Sequence, residues 1–123
     1  MSLKPTVFVT RKLPNAVEDR LKHDYEARLN PNDRLYSRDE IVERARGAQA
    51  ILPCHTEHFS ADVVQRLPDE VKIIANFSVG YDHVDLAAAR SKGIVVTNTP
   101  DVLSDATAEL TMMLMIGAAR RAS

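Results

Sequence analysis

One cysteine, Cys54, is all the sulfhydryl chemistry the chain has, which excludes an internal disulfide framework and is compatible with a reducing compartment. No excess of one charge is present either: 16 basic and 17 acidic side chains leave a net charge of −1. Without a basic stripe or a polybasic cluster, neither nucleic acid nor an anionic membrane surface is an expected partner. The longest apolar run, Leu110 to Ala119, is interrupted by Thr111 and falls well short of the about 20 residues that a membrane span needs. The start, Met1-Ser2-Leu3-Lys4-Pro5, lacks the apolar stretch of a signal peptide, so a soluble, cytoplasmic protein is expected. Glycine is scarce. Its four positions, Gly47, Gly80, Gly93 and Gly117, form no Gly-x-Gly-x-x-Gly turn.

What is present is a globular composition, 45% hydrophobic and 27% charged over 123 residues, enough for one ordinary domain with its own core. Strand and helix signals alternate along it. Thr6 to Thr10 is β-branched and apolar, Tyr25 to Leu29 is a weaker strand suited to a sheet edge, and Ala48 to Leu52, Val71 to Ala75 and Ile94 to Thr97 complete five. Between them, Asn15 is placed to cap a helix with Glu18 three residues later, and Ser37 with Glu40 forms a capping box. Ser60 is placed to cap a third helix, stopped by Pro68, and Asp82 a fourth running from His83 to about Ser91. A long final helix starts at Asp105. This alternation predicts an α/β fold, a doubly wound parallel sheet of flavodoxin-like order 2-1-3-4-5.

The final helix is apolar almost all round between Glu109 and Arg120. Such a helix is normally buried on every side. It is either a central core helix or one meant to lie between this domain and another domain or subunit, and the second reading is preferred.

Ligands of open α/β sheets bind beyond the carboxyl ends of strands. The segment Asn76-Phe77-Ser78-Val79-Gly80-Tyr81-Asp82-His83-Val84-Asp85 follows such a strand and leads into a helix. Gly80 permits a positive φ and a close backbone approach. The N–H groups of Val79 and Gly80 are therefore candidates to converge on a carboxylate, against the plain alternative of a strand-to-helix turn that needs a glycine. Asp82 and Asp85 read as a cap and a first-turn acid, and His83 as a first-turn residue rather than an acid or base. Cys54, His55 and His58 have a compact metal-like spacing but no helical scaffold, so a polar loop is the better reading. Leu52, at the start of that loop, could wall the same cleft. Thr107, in the first turns of the final helix, offers a hydroxyl where anions are favoured, but simple exposure or a local hydrogen bond is the better reading from the sequence alone.

Three blocks, Asn76 to Asp85, Gly93 to Leu103 and Asp105 to Leu110, resemble the D-isomer-specific 2-hydroxyacid dehydrogenases, and most closely the glyoxylate/hydroxypyruvate reductases. The resemblance implies a two-domain enzyme that reduces a small 2-keto acid with NAD or NADP. Residues 1–103 would be its flavodoxin-like substrate-binding domain and residues 104–123 a crossover helix toward a nucleotide-binding domain. It also implies that Val79 and Gly80, with Ser78 and Leu52 beside them, hold the substrate carboxylate and that Thr107 approaches the cofactor. The apolar final helix itself leads us to expect a homodimer or association through that helix. The arginine, glutamate and histidine of catalysis would lie beyond Ser123. The 123 residues alone are then expected to be inactive, with no catalytic residue, no metal and no bound cofactor. Two other doubly wound modules fit poorly. A phosphoacceptor receiver needs acids after its first strand, where Thr10-Arg11-Lys12 stands, and a flavodoxin needs a phosphate loop where Arg11-Lys12-Leu13-Pro14 stands. A stand-alone binding or assembly module that dimerises through the final helix is the remaining alternative.

Overall fold

A computed structural model describes residues 4–122. The elements run β1 (Thr6–Val9), α1 (Asn15–Asp24), β2 (Glu26–Arg28), α2 (Arg38–Arg44), β3 (Ala50–Leu52), α3 (Ala61–Arg66), β4 (Ile73–Ala75), α4 (Leu86–Ser91), β5 (Val95–Thr97) and α5 (Ser104–Arg120). All strand pairs are parallel and their order is β2-β1-β3-β4-β5, as the alternation predicts. The pleat sends successive side chains to opposite faces. Phe8, Ile51, Ile74 and Val96 stand opposite one another and form one row across the sheet. That row packs on Ile41, Val63, Val64, Ala88 and Ala89 of α2, α3 and α4, and on Ala45 at the end of α2. Val7 and Val9 point the other way, onto Leu13 and Leu21 beside α1.

Helix starts show where local signals suffice and where they fail. Ser37 and Glu40 make the expected capping box: the Glu40 N–H donates to Ser37 Oγ (3.2 Å) and the Ser37 N–H to Glu40 Oε2 (2.8 Å). Asn15 does not cap α1. Pro14 takes the cap position, and the buried Glu18 reaches back to accept the Leu13 N–H at 3.0 Å and pair with Lys12. Asp82 does not cap α4. That helix begins later, and Asp85 accepts the Ala88 N–H at 2.9 Å. The cause is tertiary. The Phe59 N–H donates to the His83 carbonyl (2.7 Å) and the Asp85 N–H to the Phe59 carbonyl (2.9 Å), so this backbone is committed to a bridge rather than a helix.

Ser60 sits at the cap position of α3, but its hydroxyl makes no capping bond. Its Oγ is buried without a hydrogen-bond partner among the described residues. Ser60→Ala should accordingly be neutral or stabilising by up to about 1 kcal/mol, because an unpaired buried hydroxyl carries a desolvation penalty. Urea unfolding checks this. A loss of about 1 kcal/mol, the usual result of removing a serine cap, would show that the hydroxyl does cap the helix in solution.

α5 is not a core helix. It buries none of its residues, and Leu110, Met112, Met113, Leu114, Met115 and Ile116 are all more than half exposed. No helix among the described residues is long and apolar enough to cross a membrane.

Candidate functional site

The carboxyl ends of β1, β3 and β4 bring together three connections, at residues 10–14, 53–60 and 76–85. The third carries Ser78, Val79 and Gly80. The carbonyl oxygens from Ser78 to Tyr81 all accept hydrogen bonds. Ser78 O accepts the Thr99 N–H (2.9 Å), Val79 O accepts Asn98 Nδ2 (2.8 Å), Gly80 O accepts Ser78 Oγ (2.7 Å), and Tyr81 O accepts the Val84 N–H (3.0 Å). The N–H groups of Ser78, Val79, Gly80 and Tyr81 have no acceptor among the described residues. A loop pinned by its acceptors, with its donors left over, is suited to an anion. Gly80 and Tyr81 are exposed, so these donors can face water or a ligand, and successive N–H groups in a turn can form an anion-binding concavity.

Gly80 does not use the conformational freedom expected of it. The positive-φ glycines are Gly47 and Gly93. A Cβ at Gly80 would meet nothing within 4 Å, so what this glycine leaves is open space beside its amide. Val79 and Gly80 border different cavities. Val79 shares one of about 670 Å³ with Leu103, Ser104, Thr107 and Met112 at the start of α5. Gly80 shares another, of about 330 Å³, with His55, His58, Asp82 and His83. The structure thus joins Val79 to Thr107 across one cleft. Leu52 lines neither. Its side chain packs with the Val7, Val9 and Leu21 cluster and borders an apolar groove on the α1 face. Ser78 contributes by holding the loop, through its bond to Gly80 O.

Residues that the sequence reading passed over turn out to shape the loop. Asn98 holds the Val79 carbonyl, and Asn76 is buried beneath the turn, where its Nδ2 donates to Thr97 O at 3.0 Å. That orientation leaves Asn76 Oδ1 to accept from His83 Nε2 at 2.7 Å, so the His83 proton sits on Nε2. Two asparagines bracketing a glycine turn were the available signal. His83 titrates below its usual 6.5, through burial first and then through the charge of His55 and His58, which outweigh Glu57 and Asp82. A histidine that resists protonation when folded makes the unfolded state the stronger proton binder below pH 6.5. Its contribution is complete above that pH and is lost as pH falls toward the folded value. The slope of stability between pH 7.5 and 5.5 should therefore flatten in His83→Gln, as read by denaturant unfolding. An unchanged slope would assign the loss to other groups.

Cys54 is half-buried, and its thiol is pushed up by burial first and then by Glu57, which makes it a poor nucleophile. No group of three or more His, Cys, Asp or Glu among the described residues is arranged to hold a metal ion.

Comparison with known proteins identifies the family. The family model described as D-isomer specific 2-hydroxyacid dehydrogenase, catalytic domain, matches residues 7–121. A glyoxylate reductase from Thermococcus gammatolerans is 39% identical over 119 residues, 97% of this chain and 35% of the relative. Among solved structures, a protein from Polaromonas sp. JS6 66 assigned as an NAD-binding D-isomer specific 2-hydroxyacid dehydrogenase superposes with a TM-score of 0.85 at 41% identity, over 95% of this chain and 36% of that one. A glyoxylate reductase from Paecilomyes thermophila superposes with a TM-score of 0.80 at 26% identity, over 98% and 40%. The chain spans about a third of the length of the curated relatives it matches. With a match over nearly its whole length, the chain belongs to the D-isomer specific 2-hydroxyacid dehydrogenase family.

Proposed function

We propose that these residues are the substrate-holding part of an NAD(P)-dependent reductase acting on a small 2-keto acid of the glyoxylate or hydroxypyruvate class. The observation that carries the reading is the loop from Ser78 to Tyr81, whose carbonyls are all engaged and whose N–H groups have no acceptor among the described residues. Val79 and Gly80 donate to the substrate carboxylate. Each such charge-assisted hydrogen bond contributes about 1.5–3 kcal/mol. Asn98 and Ser78 hold the two amides in place, and the open space at Gly80 admits the ligand. A neutral ketone then lies over the Val79 side of the loop, facing Thr107.

The residues near Thr107 fit a nicotinamide cofactor in part. Thr107 and Ser104 line the Val79 cavity at a helix N-terminus, and their hydroxyls are a donor type suited to ribose or phosphate. When bound, that cofactor supplies the hydride. No glycine-rich turn for its pyrophosphate occurs in the sequence. We therefore assign the main dinucleotide contacts, the carbonyl-polarising arginine and the glutamate-supported histidine acid to sequence outside these 123 residues. On this division residues 1–103 hold the keto acid and residues 104–123 lead toward the cofactor. The setting is cytoplasmic, with neither nucleic acid nor membrane as partner.

The exposed apolar surface of α5 supports a second feature, association with another domain or a second copy of the chain. Light scattering over a dilution series reads this directly, and a monomer at every concentration would sink the self-association. For the main reading, titrating the 15N-labelled chain with oxamate, a non-reducible 2-oxo carboxylate, should shift the Val79 and Gly80 amides. NADH and NADPH oxidation assays should show no turnover by this chain alone. Unmoved amides would remove the loop's role, and measurable turnover would overturn the division of labour.

A further inference from the structure

The connection between β3 and α3 contains a carboxylate that the proposed chemistry does not use. Glu57 is 3% exposed, and its two oxygens accept three donors: Thr10 Oγ1 at 2.8 Å, the Cys54 N–H at 3.1 Å and Thr56 Oγ1 at 2.9 Å. It makes no ion pair among the described residues. The Arg11 guanidinium is near enough to feel its charge, but it makes no contact with Glu57: it pairs with Asp33, and its Nη1 donates to Thr56 Oγ1 at 2.8 Å. Burying a carboxylate with no cation in direct contact is a costly way to fill space, since an apolar side chain of similar size would avoid the desolvation penalty. What it provides here is fixed geometry. Thr10 directly follows β1 and is itself fully buried, so Glu57 ties the β3–α3 connection to the carboxyl end of that strand.

That connection in turn braces the anion loop at both ends. The Phe77 N–H donates to the Pro53 carbonyl at 2.8 Å, one residue before Ser78. The Phe59 N–H donates to the His83 carbonyl at 2.7 Å, and the Asp85 N–H to the Phe59 carbonyl at 2.9 Å. Pro53 precedes Cys54, whose N–H is held by Glu57, and Phe59 follows Glu57 by two residues. The carboxylate thus lies between the two attachment points. We propose that Glu57 is a positioning residue: by fixing residues 53–59 to β1, it sets where the Val79 and Gly80 amides point. This rests on the reading of that loop as the carboxylate site.

Two variants test it. Glu57→Ala removes the clamp. Thr10→Val removes only the β1 attachment and keeps the volume. Oxamate affinity is read by amide shifts at a temperature where unfolding curves show each variant fully folded. Misplacing the two donors should weaken oxamate binding by about tenfold in Glu57→Ala and by less in Thr10→Val. Glu57→Gln keeps an oxygen for Thr10 and Cys54 and should recover most of the affinity. A residue that served stability alone would lower the melting temperature and leave the affinity of the folded protein unchanged. Folded Glu57→Ala and Thr10→Val that both bind oxamate as the parent does would overturn the proposal while leaving the loop reading intact. Should Glu57→Ala fail to fold, Thr10→Val decides alone, and parent affinity in it overturns the clamp. Absence of any Val79 or Gly80 shift in the unsubstituted chain would overturn the loop reading and the positioning role together.

Discussion

Replacing the Gly80 amide by an ester, with glycolate in place of glycine, should weaken carboxylate binding by about ten- to a hundredfold and barely move the melting temperature. The first half follows from deleting one charge-assisted donor, a loss of about 1.5–3 kcal/mol. The second half follows from the structure, because the Gly80 N–H has no acceptor among the described residues and the fold loses no bond with it. An ester elsewhere in the sheet would instead remove a ladder bond and lower stability. One side effect needs a control. The ester carbonyl at Val79 is a weaker acceptor for Asn98 Nδ2, which holds it at 2.8 Å. Asn98→Ala in the all-amide chain removes that bond by a separate route, and its effect on oxamate affinity should be the smaller of the two. Semisynthesis of the chain followed by calorimetric titration with oxamate measures both. An affinity within twofold of the all-amide protein would show that Gly80 donates nothing to the ligand.

The largest loss of stability should come from Phe59→Ala, about 3–5 kcal/mol. Phe59 is fully buried in the main cluster, among the side chains that α3 and α4 pack onto the sheet. Domains of this size have only about 5–15 kcal/mol in total, so the variant would sit near the limit of folding. Its effect should also spread into the site. Phe59 is the residue whose backbone bridges to Val84 and whose N–H holds the His83 carbonyl, and that anchor depends on the ring being seated. Urea unfolding with an unchanged m-value gives the loss cleanly. Weaker oxamate binding at full folding would report the loosened anchor. A loss below about 1 kcal/mol would mean that the surrounding core collapses onto the cavity, which close packing normally prevents.

Much of this architecture was legible before the structure. The β-branched run at Thr6, the alternation of strand and helix signals and the Ser37–Glu40 capping box depend on neighbours within four residues, and each appears where the sequence places it. Helix starts that depend on distant contacts did not read through. Asp82 and Asp85 are equally good caps by local rules, and the bridge from Phe59, more than 20 residues away, selects Asp85. Ser60 occupies a cap position yet makes no capping bond. Leu52 follows the same logic. Its position at a strand's carboxyl end pointed to the cleft, but the pleat turns its side chain to the α1 face.

The site divides in the same way. That a glycine turn follows a buried strand and leads into a helix is a property of residues 71–91 alone, as is the apolar character of residues 110–119. The choice of family rests on these local blocks and their order. Which amides stay free is another matter. The Ser78 and Val79 carbonyls are taken by Thr99 and Asn98, the Phe77 N–H by Pro53, and the residues that brace the loop by Glu57 and Thr10. Each of these partners arrives from another strand end. The chemical character of every group is therefore set by its residue type and near neighbours. Whether a donor is spent or left for a ligand is decided only by tertiary structure, because hydrogen-bond partners are assigned by position in space, not by distance along the chain.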